Sequence, residues 1–191
     1  MSIRPIRTIG DPVLRTRARE LALDELRSDD VQQLIGDMID TMRDANGAGL
    51  AANQVGEPLR VFVAEVRPGN PRYPYKPAIP LTVVVNPEIE PVDDETFEVN
   101  EGCLSVPDLR GNLPRYVNVR VSYLDREGNP HEEVRRGLTA GTFQHELDHL
   151  DGVLFVDRAD PTSLATWEQF ERHQRDDFVK RAEELVQRVG S

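Results

Sequence analysis

The chain has 191 residues, 38% of them hydrophobic, which is enough to bury the core of one domain. Its 23 Lys and Arg face 34 Asp and Glu, a formal charge of −11, which excludes a general nucleic-acid binder and argues against direct sequence-specific reading of nucleic acid. The single cysteine, Cys103, excludes an internal disulfide and fits a reducing, cytoplasmic setting.

The start, MSIRPIRTIG, has no long apolar run, so it reads as neither a signal peptide nor a membrane span. Arg4 and Arg7 mimic part of a transit peptide, but a strand-like start is the preferred reading. Val31, Leu34, Ile35, Met38, Ile39 and Met42 recur at helical spacing, with Ser28 or Asp29 to cap the start and Gly47 after the end. An amphipathic helix is predicted there, its methionines in the core. GAGLAANQVG follows, then Arg60–Val66, an apolar run of strand length. The GAG is no phosphate loop, because no Gly-Lys-Ser/Thr comes after it. Between residues 67 and 80, Pro68, Pro71, Pro74, Pro77 and Pro80 fall every third residue. That predicts an extended, polyproline-like surface loop, read as a plain insertion rather than a partner-binding segment.

Thr82–Ile89 reads as a short buried strand. Val117, Val119, Val121 and Tyr123 alternate, and DREGNP turns the chain into HEEVRR, which predicts a hairpin. Helical periodicity returns from Thr139 to His149. After Asp160-Pro161 one final helix is predicted to about Val189, with Leu164, Trp167, Phe170, Phe178 and Leu185 on its apolar side.

Within the central helical stretch, QHELDHLDG holds His145 and His149 four residues apart. Positions i and i+4 share one helix face, so the two imidazoles can aim at one metal ion. Glu146 lies about 100° round the helix from His145. It is better placed to take a proton from a water whose pKa the cation lowers than to act as a third ligand. A catalytic site needs that third ligand and an open position. Downstream stand Asp151, Asp157, Asp160, Glu168 and His173, none in a distinctive context. Upstream stands EGCLSVP, with Cys103 between a permissive Gly102 and a segment ending at Ser105–Pro107. A Cys/His/His set suits Zn²⁺, Fe²⁺, Co²⁺ or Ni²⁺. The fold class expected is α+β: antiparallel sheets packed around a central metal-binding helix, with an N-terminal amphipathic helix and a C-terminal helix. Residues 1–160 form the catalytic domain in this reading, and residues 161–191 a helical extension of it.

GAGLAANQ at Gly47–Gln54, EGCLS at Glu101–Ser105 and QHELDH at Gln144–His149 together resemble the peptide deformylase family. The likeness extends to GDPVLR at Gly10–Arg15 and to NPE at Asn86–Glu88, and covers roughly residues 5–158. It implies hydrolysis of the formyl group from the N-formylmethionine that begins new polypeptides, with release of formate. It places the metal ligands on Cys103, His145 and His149, and the general acid/base on Glu146. Gln54 and the backbone N–H of Leu104 would hold the developing oxyanion, a role in which one donor is typically worth about 3–4 kcal/mol. Gly47, Ala48 and Gly49 would pair with an extended peptide backbone, and Arg110 would meet the peptide. Glu101 would orient a ligating histidine; Asp148 reads as structural. The implied cofactor is one divalent metal ion, Fe²⁺ in the cell, with Zn²⁺, Ni²⁺ or Co²⁺ as substitutes.

The chain departs from the family pattern at several points. Ala48 stands where many bacterial members carry isoleucine, and Gly141 where they often carry a larger aliphatic. Both border the pocket for the methionine side chain, so that pocket is expected to be wider or differently shaped. Some members dock on the ribosome through a basic C-terminal helix. Here Arg172, Arg175, Lys180, Arg181 and Arg188 face Glu168, Glu171, Asp176, Asp177, Glu183 and Glu184, a balance of −1, so only weak ribosome association is expected. The rival function is a zinc protease with a downstream ligand, and the second rival is a metal-dependent binder without catalysis, which would have no use for Glu146.

Overall fold

The computed structural model describes residues 2–70 and 72–190. A short helix, α1 (Leu23–Leu26), leads into the predicted amphipathic helix, α2 (Asp29–Asp44). The Ser28 hydroxyl accepts from the Val31 N–H, and Asp29 and Asp30 sit where the helix dipole favours them. Val31, Leu34, Ile35, Met38, Ile39 and Met42 are all buried on one face. Asn46, with φ 52°, provides the left-handed residue that ends the helix, rather than Gly47. Gly47 is needed for a close approach instead: a Cβ there would lie 3.1 Å from the Leu104 side chain.

The strands are β1 (Gly49–Ala51), β2 (Val61–Val66), β3 (Ile79–Pro91), β4 (Thr96–Cys103), β5 (Val106–Tyr116), β6 (Asn118–Leu124) and β7 (Pro130–Arg136). A central helix, α3 (Gly137–Leu150), follows, and a two-residue strand, β8 (Ala165–Thr166), comes later. Two antiparallel sheets result, one ordered β1-β2-β3-β6-β7 and one ordered β4-β5-β8. The continuous apolar run of β2 is explained by burial on both faces. Val61 and Val63 pack with α2, while Phe62, Ala64 and Val66 pack with α3, where Phe62 meets Phe143 edge-on at 5.4 Å. Burying each such side chain contributes about 1.5–3 kcal/mol.

The predicted β6–β7 hairpin forms, with Asn118 opposite Arg136 and Leu124 opposite Pro130. Several expectations are corrected. The start is not a strand; residues 2–9 lie extended along the body, tied by Ser2 to Asp37, Arg4 to Thr41, Arg7 to the Gln54 carbonyl and Ile9 to the Ser105 carbonyl. The short strand at Thr82–Ile89 is part of the longer β3, which bends at a bulge between Val85 and Glu88 where Asn86 takes φ 50°. The EGCLSVP segment does not end at Pro107 but turns tightly, Cys103 opposite Val106, into β5.

The single terminal helix is also corrected. Residues 161–166 form a 3-10 turn and β8, the Thr166 hydroxyl then caps α4 (Trp167–His173), and α5 (Arg175–Val189) begins after a break at Gln174. The break lets Phe170 turn inward together with Phe178, Ala182 and Leu185, which pack on Val99, Leu113, Val117 and Leu138. Leu164, expected on the apolar side, is exposed. No helix of the described residues is long and apolar enough to cross a membrane.

Candidate active site

The central helix and the β4–β5 turn deliver three donor side chains to one point. His145 and His149 share one face of α3, their rings edge-to-face with centroids 4.9 Å apart. Cys103, at the end of β4, brings its Sγ to 3.1 Å from His149 Nε2. One ligand-type atom from each of Cys103, His145 and His149 lies within 4.8 Å of the others. Of the downstream candidates, Asp151 pairs with Arg60 at 2.8 Å and Asp157 with Arg15.

A buried charged network fixes the first histidine. Glu101 Oε2 accepts from His145 Nδ1 at 2.8 Å, which in the neutral ring puts the lone pair on Nε2. Arg115 grips the same carboxylate at 2.8 and 2.9 Å and reaches Asp148 at 2.6 Å; Asp148 also meets Arg158. Burial works against the Glu101 carboxylate, but Arg115 and His145 outweigh it and hold its pKa below the usual range. Burial likewise opposes a charged Cys103, yet the imidazoles of His149 and His145 hold the thiol well below its ordinary value. His145 is pushed up, against burial, by Glu101.

Glu146 is buried beside this cluster, and its Oε2 makes no hydrogen bond. Burial raises its pKa against the pull of the two imidazoles. Gly49 explains itself here, since a Cβ at that position would overlap the Glu146 carboxyl. Gln54 sits in the 3-10 turn after β1. Its Oε1 accepts from Ala51 N at 2.9 Å, and its Nε2 reaches Ser105 Oγ at 3.0 Å and Cys103 Sγ at 3.6 Å. Its amide is thereby oriented with N–H towards the cluster. Leu104 follows Cys103 at the turn and lines the same cleft, whose empty volume is about 640 Å³.

Gly47, Ala48 and Gly49 form one wall, at the free edge of the five-stranded sheet. Arg110 also lines the cleft but is buried, not solvated. Its Nε and Nη2 bond Asn100 at 2.6 and 2.9 Å, its guanidinium lies over Phe170 and Trp167, and its Nη1 has no hydrogen-bond partner.

The Pro-rich stretch is not the plain surface insertion expected. Successive turns close from Arg67 to Asn70, Asn70 to Tyr73 and Tyr73 to Lys76, so Pro68 and Pro74 sit in turns and Pro80 in β3 rather than in one polyproline helix. Tyr73, Tyr75 and Lys76 line the cleft. Sequence reasoning missed these three, and it missed Ser105, whose hydroxyl holds Gln54 and whose N–H meets Cys103 Sγ at 3.3 Å. The EGCLS motif itself carried the signal for Ser105.

A family model described as polypeptide deformylase matches residues 3–165. "Peptide deformylase 1" of Corynebacterium glutamicum is 48% identical over 164 residues, covering 84% of this chain and 89% of that protein. "Peptide deformylase 2" of a Nostoc species is 44% identical over 156 residues, covering 82% and 86%. The Met-Ala-Ser-bound crystal structure of a class I type b peptide deformylase from Acinetobacter baumannii superposes with a TM-score of 0.78 at 43% identity, covering 83% of this chain and 99% of that one.

Proposed function

The chain belongs to the polypeptide deformylase family, and from that premise we propose that Cys103, His145 and His149 hold one divalent metal ion where formyl peptides are hydrolysed. Enzymes of this family remove the N-formyl group from newly made polypeptides and depend on a metal. The donor set fits such an ion: one sulfur held towards thiolate, two imidazoles, and only three ligands, which leaves a position open. Fe²⁺ is the ion we assign in the cell, with Zn²⁺, Ni²⁺ or Co²⁺ able to replace it. When bound it supplies Lewis acidity, which acidifies water and polarises the formyl carbonyl.

The rest of the chemistry falls to the chain. Glu146, buried and unpaired on one oxygen, takes the proton from the attacking water and returns it to the departing amine. Gln54 Nε2, fixed by Ala51 and Ser105, and the Leu104 N–H donate to the oxygen on which negative charge develops. Glu101 holds His145 in one orientation. The free edge of the sheet at Gly47–Gly49, leading into β1, pairs with the extended substrate, and Arg110 shapes the far wall. Residues 161–191 act as an extension of the same domain. Association with the ribosome is weak in this reading, with no sequence-specific nucleic-acid contact, and the setting is cytoplasmic.

One observation carries the proposal: Cys103, His145, Glu146 with its unpaired oxygen and Gln54 line a single cleft, with His149 behind them against Cys103. The test is formate release from formyl-Met-Ala-Ser beside its acetyl analogue, with the protein prepared anaerobically and its metal quantified. Formate from the formyl peptide alone supports the reading; none from any formylated peptide, with metal present, refutes it.

A further inference from the structure

Lys76 reaches into the cleft from the Pro-rich segment. Its Nζ donates to Thr142 Oγ1 at 2.9 Å, and that hydroxyl in turn donates to the Leu138 carbonyl. The ammonium also lies 4.8 Å from the Tyr73 ring centroid. Its described contacts are the Thr142 hydroxyl and the Tyr73 ring, while Glu101 and Glu146 act on it through their charge. Hydrogen-bond capacity is left over, since an ammonium carries three donors. The backbone that presents it is pinned by Tyr73 against Tyr75 and by Tyr75 against Phe178, edge-on at 5.3 Å.

The space next to this cation is open. A Cβ added at Gly141, one residue before Thr142 on α3, would meet nothing within 4 Å, and Ala48 opposite is small. A pocket built for hydrocarbon alone would fill this space with carbon and keep the ammonium out, because a desolvated cation with unused donors is costly. Burial already draws the Lys76 pKa down to about 8, against the pull of Glu101 and Glu146. An acceptor oxygen entering with the substrate would use the remaining N–H donors.

Resting on the deformylase reading, we propose that Lys76 is a specificity-determining residue: it selects a first side chain of methionine length that ends in a hydrogen-bond-accepting oxygen. Two sources share that chemistry. One is formylmethionine oxidised to its sulfoxide, in which sulfur carries the oxygen; the other is an acidic side chain such as glutamate.

The test is kcat/KM for C-terminally amidated formyl-X-Ala-Ser peptides, with X as methionine sulfoxide, glutamate, methionine or norleucine. Amidation removes the terminal carboxylate as a competing partner. Wild type is expected to favour at least one oxygen-ended peptide over norleucine by about tenfold or more, the scale of a charge-assisted hydrogen bond. Preference for the sulfoxide names oxidised formylmethionine as the source, and preference for glutamate alone names an anionic side chain. Lys76→Met should invert the order and Lys76→Arg should keep it; if Lys76→Met fails to fold, Lys76→Gln reads the same contrast. A lysine that only anchors its loop would leave the order unchanged. Norleucine as good as both oxygen-ended peptides in wild type, or a preference that survives loss of the cation, overturns the proposal while leaving the deformylase reading intact. Absence of formate from all four peptides would sink that reading itself.

Discussion

Gly49 and Glu146 touch across the cleft so closely that a single methyl group on residue 49 would overlap the carboxyl. The edge of β1 and Glu146, the proton carrier proposed on α3, therefore have a spacing set by the lack of a side chain. Gly49→Ala must move one of them. Formate release is expected to fall about 10²-fold, within the range for losing a positioned acid/base, while metal content stays near wild type. Turnover above a tenth of wild type would show that Glu146 has room to shift.

Cys103→Ala and Glu146→Ala separate binding from chemistry. The first removes one of the three proposed ligands and should leave the purified protein largely metal-free. The second should keep the metal and lower kcat by about 10²–10⁴. Metal analysis beside formate release checks both, and full metal occupancy in Cys103→Ala would revive the protease reading with a ligand elsewhere.

Gln54→Ala removes a donor aimed at the developing charge and should cost about 10²–10³ in kcat. Ser105→Ala frees the same amide without removing it, so its loss should be smaller and in the same parameter. Steady-state kinetics on formyl-Met-Ala-Ser distinguishes these from a KM effect.

Asp37 anchors the extended N-terminal segment. Burial works against its carboxylate, but N–H donors from Ser2, Gln33 and Arg4 hold its pKa at about 2, below the ordinary 3.8. As pH falls the unfolded chain takes up this proton first, so the stabilisation is present above 3.8 and lost as pH drops through 2. Thermal melts should show Asp37→Asn less stable than wild type near neutrality, with the gap closing towards pH 2. A gap that does not narrow would assign the effect to something other than charge.

Phe178→Ala should destabilise the whole molecule by about 3–5 kcal/mol in a single transition, because Phe178 is buried against Tyr75 and in one cluster with Val99, Leu113 and Leu138 of the body. Two separate unfolding transitions would instead make residues 161–191 an independent unit.

The elements that could be read from the sequence are those in which one period dominates. The α2 stripe, the two-faced β2 and the β6–β7 alternation each satisfy a single burial demand. The β4–β5 hairpin was hidden, because Pro107, Pro114 and Gly111 interrupt the alternation of β5. The break at Gln174 was hidden too, since the apolar residues on either side continue a helical count. At the site, the motif resemblance reached Cys103, Gln54 and Glu146. Arg115 could not be reached that way: its role exists only because two strands and a helix bring Glu101 and Asp148 to one guanidinium. Lys76 depended on turns and tyrosine contacts that a three-residue spacing of prolines disguised.

The edge-on contact of Tyr75 with Phe178 also has a meaning in time. Phe178 lines the cleft, yet it lies on the last helix of the chain. A chain emerging from synthesis would present the cysteine, both histidines and the glutamate before it presented the side chain that braces their pocket wall. The stretch made after those four residues thus adds the ring that packs on Tyr75 at the cleft wall, so the proposed ligands exist in the chain before the wall beside them is complete.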